Sequence, residues 1–108
     1  MKIKSLDLFK FKKLVDDGTP FVVKFKSDRC HICDEIKGYY EEISELFPKI
    51  GFYDVDVDIE EDLADVFAEQ GVPTIYFIKG KKFEEVDYPE EGYTRKSLES
   101  IIRGYLEG

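Results

Sequence analysis

Apolar side chains recur at Leu8, Phe11, Leu14 and Val15, three and four residues apart, and Asp16-Asp17-Gly18 follows as a stop, so the spacing predicts a helix over residues 5–17. After Thr19-Pro20 the run Phe21-Val22-Val23-Lys24-Phe25-Lys26 is rich in β-branched and aromatic residues and has the length of a buried strand. Helical spacing returns from residue 30. Cys33, Ile36, Tyr40, Ile43 and Phe47 share one face until Pro48, whose ring cannot continue a helix. Over residues 52–58, Tyr53, Val55 and Val57 alternate with Asp54, Asp56 and Asp58, the period of two that marks a strand. Residues 60–70 place Leu63, Val66 and Phe67 on a helical face that Gly71 ends. Residues 74–78 and 83–88 read as strands joined by the turn Lys79-Gly80-Lys81-Lys82. A connection this short makes them antiparallel, because a parallel pair needs a long crossover. Thr94 is placed to cap a last helix carrying Leu98, Ile101, Ile102 and Tyr105. The order α-β-α-β-α-β-β-α implies an α/β fold: a central mixed sheet of about four strands with helices on both faces.

Composition narrows the function classes. The 108 residues are 43% hydrophobic, enough for one core, and residues 1–108 are expected to form a single domain. Sixteen Lys plus Arg against 24 Asp plus Glu give a net charge of −8, a field that repels nucleic acid and anionic lipid. Apolar runs are too short to span a bilayer, and MKIKSLDLFKFKKL lacks the apolar centre of a signal peptide. The expected location is therefore the cytoplasm, with no membrane and no nucleic-acid partner.

Two cysteines stand out, Cys30 and Cys33, spaced C-x-x-C. A bridge between them closes a tiny loop and constrains the unfolded chain little, so stability is a poor reason for it. A metal site wants four ligands, whereas His31 is the only histidine and there is no third cysteine. Redox chemistry is the stronger reading, with inert thiols the alternative.

Cys30-His31-Ile32-Cys33 between a strand and a helix, Gly71-Val72-Pro73-Thr74 ahead of the next strand, and the element order resemble the thioredoxin family over almost the whole chain. The segment from Tyr88 to Leu98 is more loosely similar to protein disulfide isomerase domains. The resemblance implies a thioredoxin fold and a thiol–disulfide oxidoreductase that needs no cofactor and no metal. Such a protein is expected to reduce protein disulfides and to be recharged by a thioredoxin reductase or another thiol reductant. Cys30, at a helix start where free N–H groups favour a thiolate, is expected to attack, and Cys33, one turn on and on the buried face, to resolve the mixed disulfide. Substrate contacts are expected at Arg29, His31, Ile32, Val72, Pro73 and Gly92, and the Val72-Pro73 bond is expected to be cis. The alternatives are an isomerase or oxidase of a more oxidising compartment, and a thioredoxin-fold binding module with idle cysteines.

The chain departs from the family pattern in places. It has no Trp, and Arg29 occupies the position before the first cysteine where the family usually carries one. Ile32 is neither Pro nor His. The family's buried acid, six residues before the first cysteine, is here Lys24, and Asp54 stands where a family lysine is common. The charges look exchanged, which predicts a Lys24–Asp54 pair beneath the active site, catalytic through Cys33; an exposed Lys24 is the competing reading.

Overall fold

A computed structural model describes residues 3–107. In chain order these form β1 (Lys4–Ser5), α1 (Leu8–Asp17), β2 (Phe21–Lys26), α2 (His31–Leu46), β3 (Gly51–Asp56), α3 (Glu61–Phe67), β4 (Thr74–Lys79), β5 (Lys82–Glu85) and α4 (Arg95–Glu107). The sheet runs β1-β3-β2-β4-β5. Its first three strands are parallel, and β4 and β5 add an antiparallel half. The sheet therefore has five strands rather than about four. Asp7 is the cap of α1, its carboxylate accepting the Lys10 N–H at 2.8 Å, so the helix begins at Leu8 and not at residue 5. This leaves Lys4–Ser5 extended, with Lys4 opposite Tyr53 and Ser5 opposite Asp54. A strand of two residues is too short to show an alternation.

Strand β2 lies at the centre, and Phe21, Val22, Val23, Lys24 and Phe25 are all buried. Because side chains alternate along a strand, β2 serves two cores. Phe21, Val23 and Phe25 join Phe11, Val55, Leu63 and Ile78 beneath α1 and α3. Val22 joins Tyr40, Ile43, Phe52, Ile75, Leu98 and Ile102 beneath α2 and α4. Lys24, two residues from Val22, points toward this second layer.

In α3 only Leu63 and Phe67 face inward. Val66 is 69% exposed, contrary to the face expected from its spacing, because the helix stops at Phe67 and a stripe four residues apart suffices to cover β2 and β4. Phe67 stacks on Phe25, 5.7 Å between ring centres, and meets Tyr76 edge-on at 5.1 Å. Thr94 does cap α4: its hydroxyl accepts the Ser97 N–H at 3.0 Å and the Ser97 hydroxyl accepts the Thr94 N–H at 2.9 Å. The parallel strands end where β4 begins, since Phe25 faces Thr74 and Val55. The loops 27–30, 57–60 and 71–73 thus meet at one edge of the sheet. Among the described residues no helix is long and apolar enough to cross a membrane.

Candidate functional site

Cys30 is the N-cap of α2. Its backbone is extended, its N–H donates to the Ser27 carbonyl at 3.0 Å, and its Sγ accepts the Cys33 N–H at 3.0 Å. A sulfur at this point receives one of the N–H groups that a helix start leaves without an intrahelical partner, and it sits at the positive end of the dipole. Cys33 lies one turn inside the helix on its buried face, 4% exposed, while Cys30 is half-buried. The two sulfurs are joined in a disulfide. His31 and Ile32, between them, are exposed on the first turn.

The other expected site residues are distributed around this bridge. The Val72-Pro73 bond is cis. Both residues are half-buried at the start of β4, where the Thr74 hydroxyl donates to the Gly71 carbonyl at 2.7 Å. Gly92 sits in the loop before α4 with φ of 85°, a conformation that suits glycine, and its N–H donates to the Pro89 carbonyl at 2.9 Å. Among the described residues no hydrogen bond ties that loop to residues 27–33. Arg29 is exposed, but its guanidinium is engaged by the Asp58 carboxylate at 3.0 Å.

Lys24 and Asp54 face each other across β2 and β3 and line, with Cys33, Asp34 and Lys37, a small cavity of about 90 Å³ that reaches the inner cysteine. They are neighbours in register rather than an ion pair. Asp54 accepts the Ser5 hydroxyl at 2.8 Å, and the Lys24 ammonium lies 4.7 Å from the centre of the Tyr40 ring, with no carboxylate in salt-bridge reach among the described residues. Lys24 is 3% exposed, so the reading of an exposed surface lysine does not hold. Burial pushes its pKa down to about 8, the charge on Asp54 working against that and those on Lys26 and Lys37 adding to it. Tyr40 is fully buried and donates its hydroxyl to the Tyr53 carbonyl at 2.7 Å, and burial raises its pKa well above the usual tyrosine value.

Three residues with a part in this geometry escape a reading of the sequence. Tyr40 looks like one more apolar position of its helix, and neither its hydroxyl contacts nor the ammonium on its ring follow from spacing. Asp58 continues the alternation of Asp54 and Asp56, yet β3 ends at Asp56, whose carboxylate accepts the Asp58 N–H at 2.9 Å and turns the chain. Ser27 is buried, and its hydroxyl donates to Asp58 at 2.7 Å. No pattern in the sequence signals either contact.

A bridge between a helix cap and the residue one turn inside it, opening at the edge of such a sheet, defines a thiol–disulfide oxidoreductase of the thioredoxin fold. The family model described as Thioredoxin matches residues 2–104. The chain belongs to the thioredoxin family. It is 32% identical to the H-type thioredoxin of Fagopyrum esculentum over 78 residues, which span 71% of this chain and 67% of that protein. With the thioredoxin of Equus caballus it shares 33% identity over 86 residues, 79% and 78% of the two chains. The crystal structure of thioredoxin from Trypanosoma brucei brucei is similar in fold, with a TM-score of 0.82 at 19% identity over 99% of this chain and 93% of that one.

Proposed function

We propose that the chain, acting as a single domain, reduces protein disulfides with Cys30 as the attacking thiol and Cys33 as the resolving one. The observation that carries this reading is the contrast between the two sulfurs: Cys30 is half-exposed at the helix cap and accepts an N–H, whereas Cys33 is buried behind it. In the dithiol form the Cys30 thiolate attacks one sulfur of a substrate disulfide. A Cys30–substrate disulfide forms and the other substrate sulfur leaves as a thiolate. Cys33, deprotonated, then attacks Cys30 Sγ, which closes the bridge and releases the second substrate thiolate. Two electrons pass from the protein to the substrate, and the protons of the two cysteines end on its two thiols. A thiol reductant, such as a thioredoxin reductase, restores the dithiol. The reducing direction suits the cytoplasm, where thiols are kept reduced.

Lys24 fits the resolving step. As an ammonium it favours the Cys33 thiolate through space, and with its pKa lowered to about 8 it is also able, once neutral, to accept the Cys33 proton. Asp54, facing it in register, tunes that balance. Substrate is read as lying over Arg29, His31, Ile32, Val72, Pro73 and Gly92, with the Val72 backbone available to pair with an extended peptide as an added strand would.

Reduction of insulin disulfides, with dithiothreitol as electron source, tests the reading. The wild type should accelerate precipitation of the insulin B chain and the Cys30→Ser, Cys33→Ser double variant should not; equal rates would leave a binding module. Equilibration with glutathione separates a reductant, at about −270 mV, from an isomerase, at about −180 mV.

A further inference from the structure

The Asp58 carboxylate grips the segment that presents Cys30 from two sides. One oxygen accepts the Ser27 hydroxyl at 2.7 Å and the other the Arg29 guanidinium at 3.0 Å. Ser27 passes the restraint on, because its Oγ accepts the Arg29 N–H at 3.2 Å and its carbonyl the Cys30 N–H at 3.0 Å. Arg29 is the residue immediately before the cap, and Asp58 holds its guanidinium beside the same turn, a separation on the scale of the roughly 8–10 Å over which charges act at ordinary ionic strength. Lys26 meets Asp28 at 2.9 Å and Asp56 at 3.5 Å, His31 is next in the chain, and Asp34 lies in the first turn of α2. Lys24, Lys37 and Asp54 line the cavity behind Cys33 and are unchanged in the variants below.

We propose that Asp58 is a positioning residue of the redox centre: by holding the Arg29 guanidinium and countering its charge, it keeps that cation from acidifying the Cys30 thiol, and so keeps the centre a strong reductant. The inference rests on the reading of Cys30 as the attacking thiol. Reduction of the bridge adds two electrons and two protons to give two thiols, and Cys30 then releases its proton to the extent that its surroundings favour a thiolate. A more acidic Cys30 stabilises the reduced protein and makes it a poorer electron donor. An Arg29 free of its counter-charge would act in that direction, and an Asp58 without Arg29 in the opposite one.

The two charges give a test that a merely loosened loop would not mimic. The Cys30 pKa is followed by thiolate ultraviolet absorbance in the reduced protein. Asp58→Asn should lower it by about half a pH unit, the size expected of a partly exposed charge, and Arg29→Gln should raise it by a similar amount. The double variant should return near the wild type, and Asp58→Glu should retain the wild-type value. At equilibrium with glutathione near neutral pH, the Asp58→Asn disulfide should be about twofold easier to reduce than that of the wild type. Single variants that shift in the same direction, or that leave both the pKa and the equilibrium unmoved, would overturn the proposal. Alkylation of the reduced wild type at Cys33 before Cys30 would instead remove the underlying reading of the attacking thiol, and this inference with it.

Discussion

The ammonium of Lys24 rests over the face of Tyr40, 4.7 Å from the ring centre, in a layer where both residues are buried. A cation over an aromatic face gains about 0.5–2 kcal/mol, less than the several kcal/mol that withdrawing an ammonium from water costs. Burial therefore wins, and the Lys24 pKa falls to about 8.

Stability should depend on pH in a way that reports this lysine. Its folded pKa lies below the value of 10.5 for an exposed lysine, so between about pH 8 and about pH 10 the unfolded chain binds more protons than the folded one. Stability of the oxidised protein should rise with pH across that window, and below it the charged lysine is a standing cost. Lys24→Met should abolish the rise and raise stability near neutral pH by up to about 3 kcal/mol, at 1.36 kcal/mol per pH unit of displacement. Urea midpoints at a series of pH values check both; a Lys24→Met protein less stable than the wild type would show that the cation is held by more than the ring.

Tyr40→Phe keeps the ring beneath Lys24 but removes the hydroxyl that donates to the Tyr53 carbonyl at 2.7 Å. A cost of about 1–2 kcal/mol follows from the lost buried hydrogen bond, with the pH window of the previous prediction retained. Denaturant titration of this variant at two pH values is sufficient to see it.

Phe67 joins α3 to the sheet through rings on four other elements, Phe11, Phe25, Tyr76 and Phe83. Phe67→Ala should destabilise by about 3 kcal/mol, near the low end for a phenylalanine truncation because the residue is only partly buried. Val66→Ala, one position away and exposed, should change the urea midpoint little.

The contrast between Phe67 and Val66 shows how far apolar spacing reaches. Both fit a helical face, and only the packed fold distinguishes the residue that meets Phe25 from the one left in water. Two elements were legible by different signals: β2 as a short run of β-branched and aromatic residues, and α2 by a repeating period that carries Cys33, Ile36, Tyr40 and Ile43 inward until Pro48. Strand β1 was not, since two residues carry no period and their pairing with β3 depends on where Asp7 caps the next helix. At the site, the C-x-x-C and the Val-Pro-Thr could be read as local motifs. The facing of Lys24 and Asp54 followed from strand alternation, while the seat of the ammonium over the Tyr40 ring, with no salt bridge to Asp54, depends on side-chain placement. The Ser27–Asp58–Arg29 contacts join residues some thirty positions apart on two turns, a relation that local sequence does not encode.

The division of labour between the cysteines is tested most directly by trapping. The reduced Cys33→Ser and Cys30→Ser variants are each incubated with a disulfide-bonded protein such as insulin, quenched with acid, and resolved by non-reducing electrophoresis. Cys33→Ser should accumulate a mixed disulfide through Cys30 that dithiothreitol dissolves, because the thiol that would release it is gone, and Cys30→Ser should accumulate none. Equal trapping by the two variants, or trapping by Cys30→Ser alone, would contradict the assignment of Cys30 as the attacking thiol and Cys33 as the resolving one.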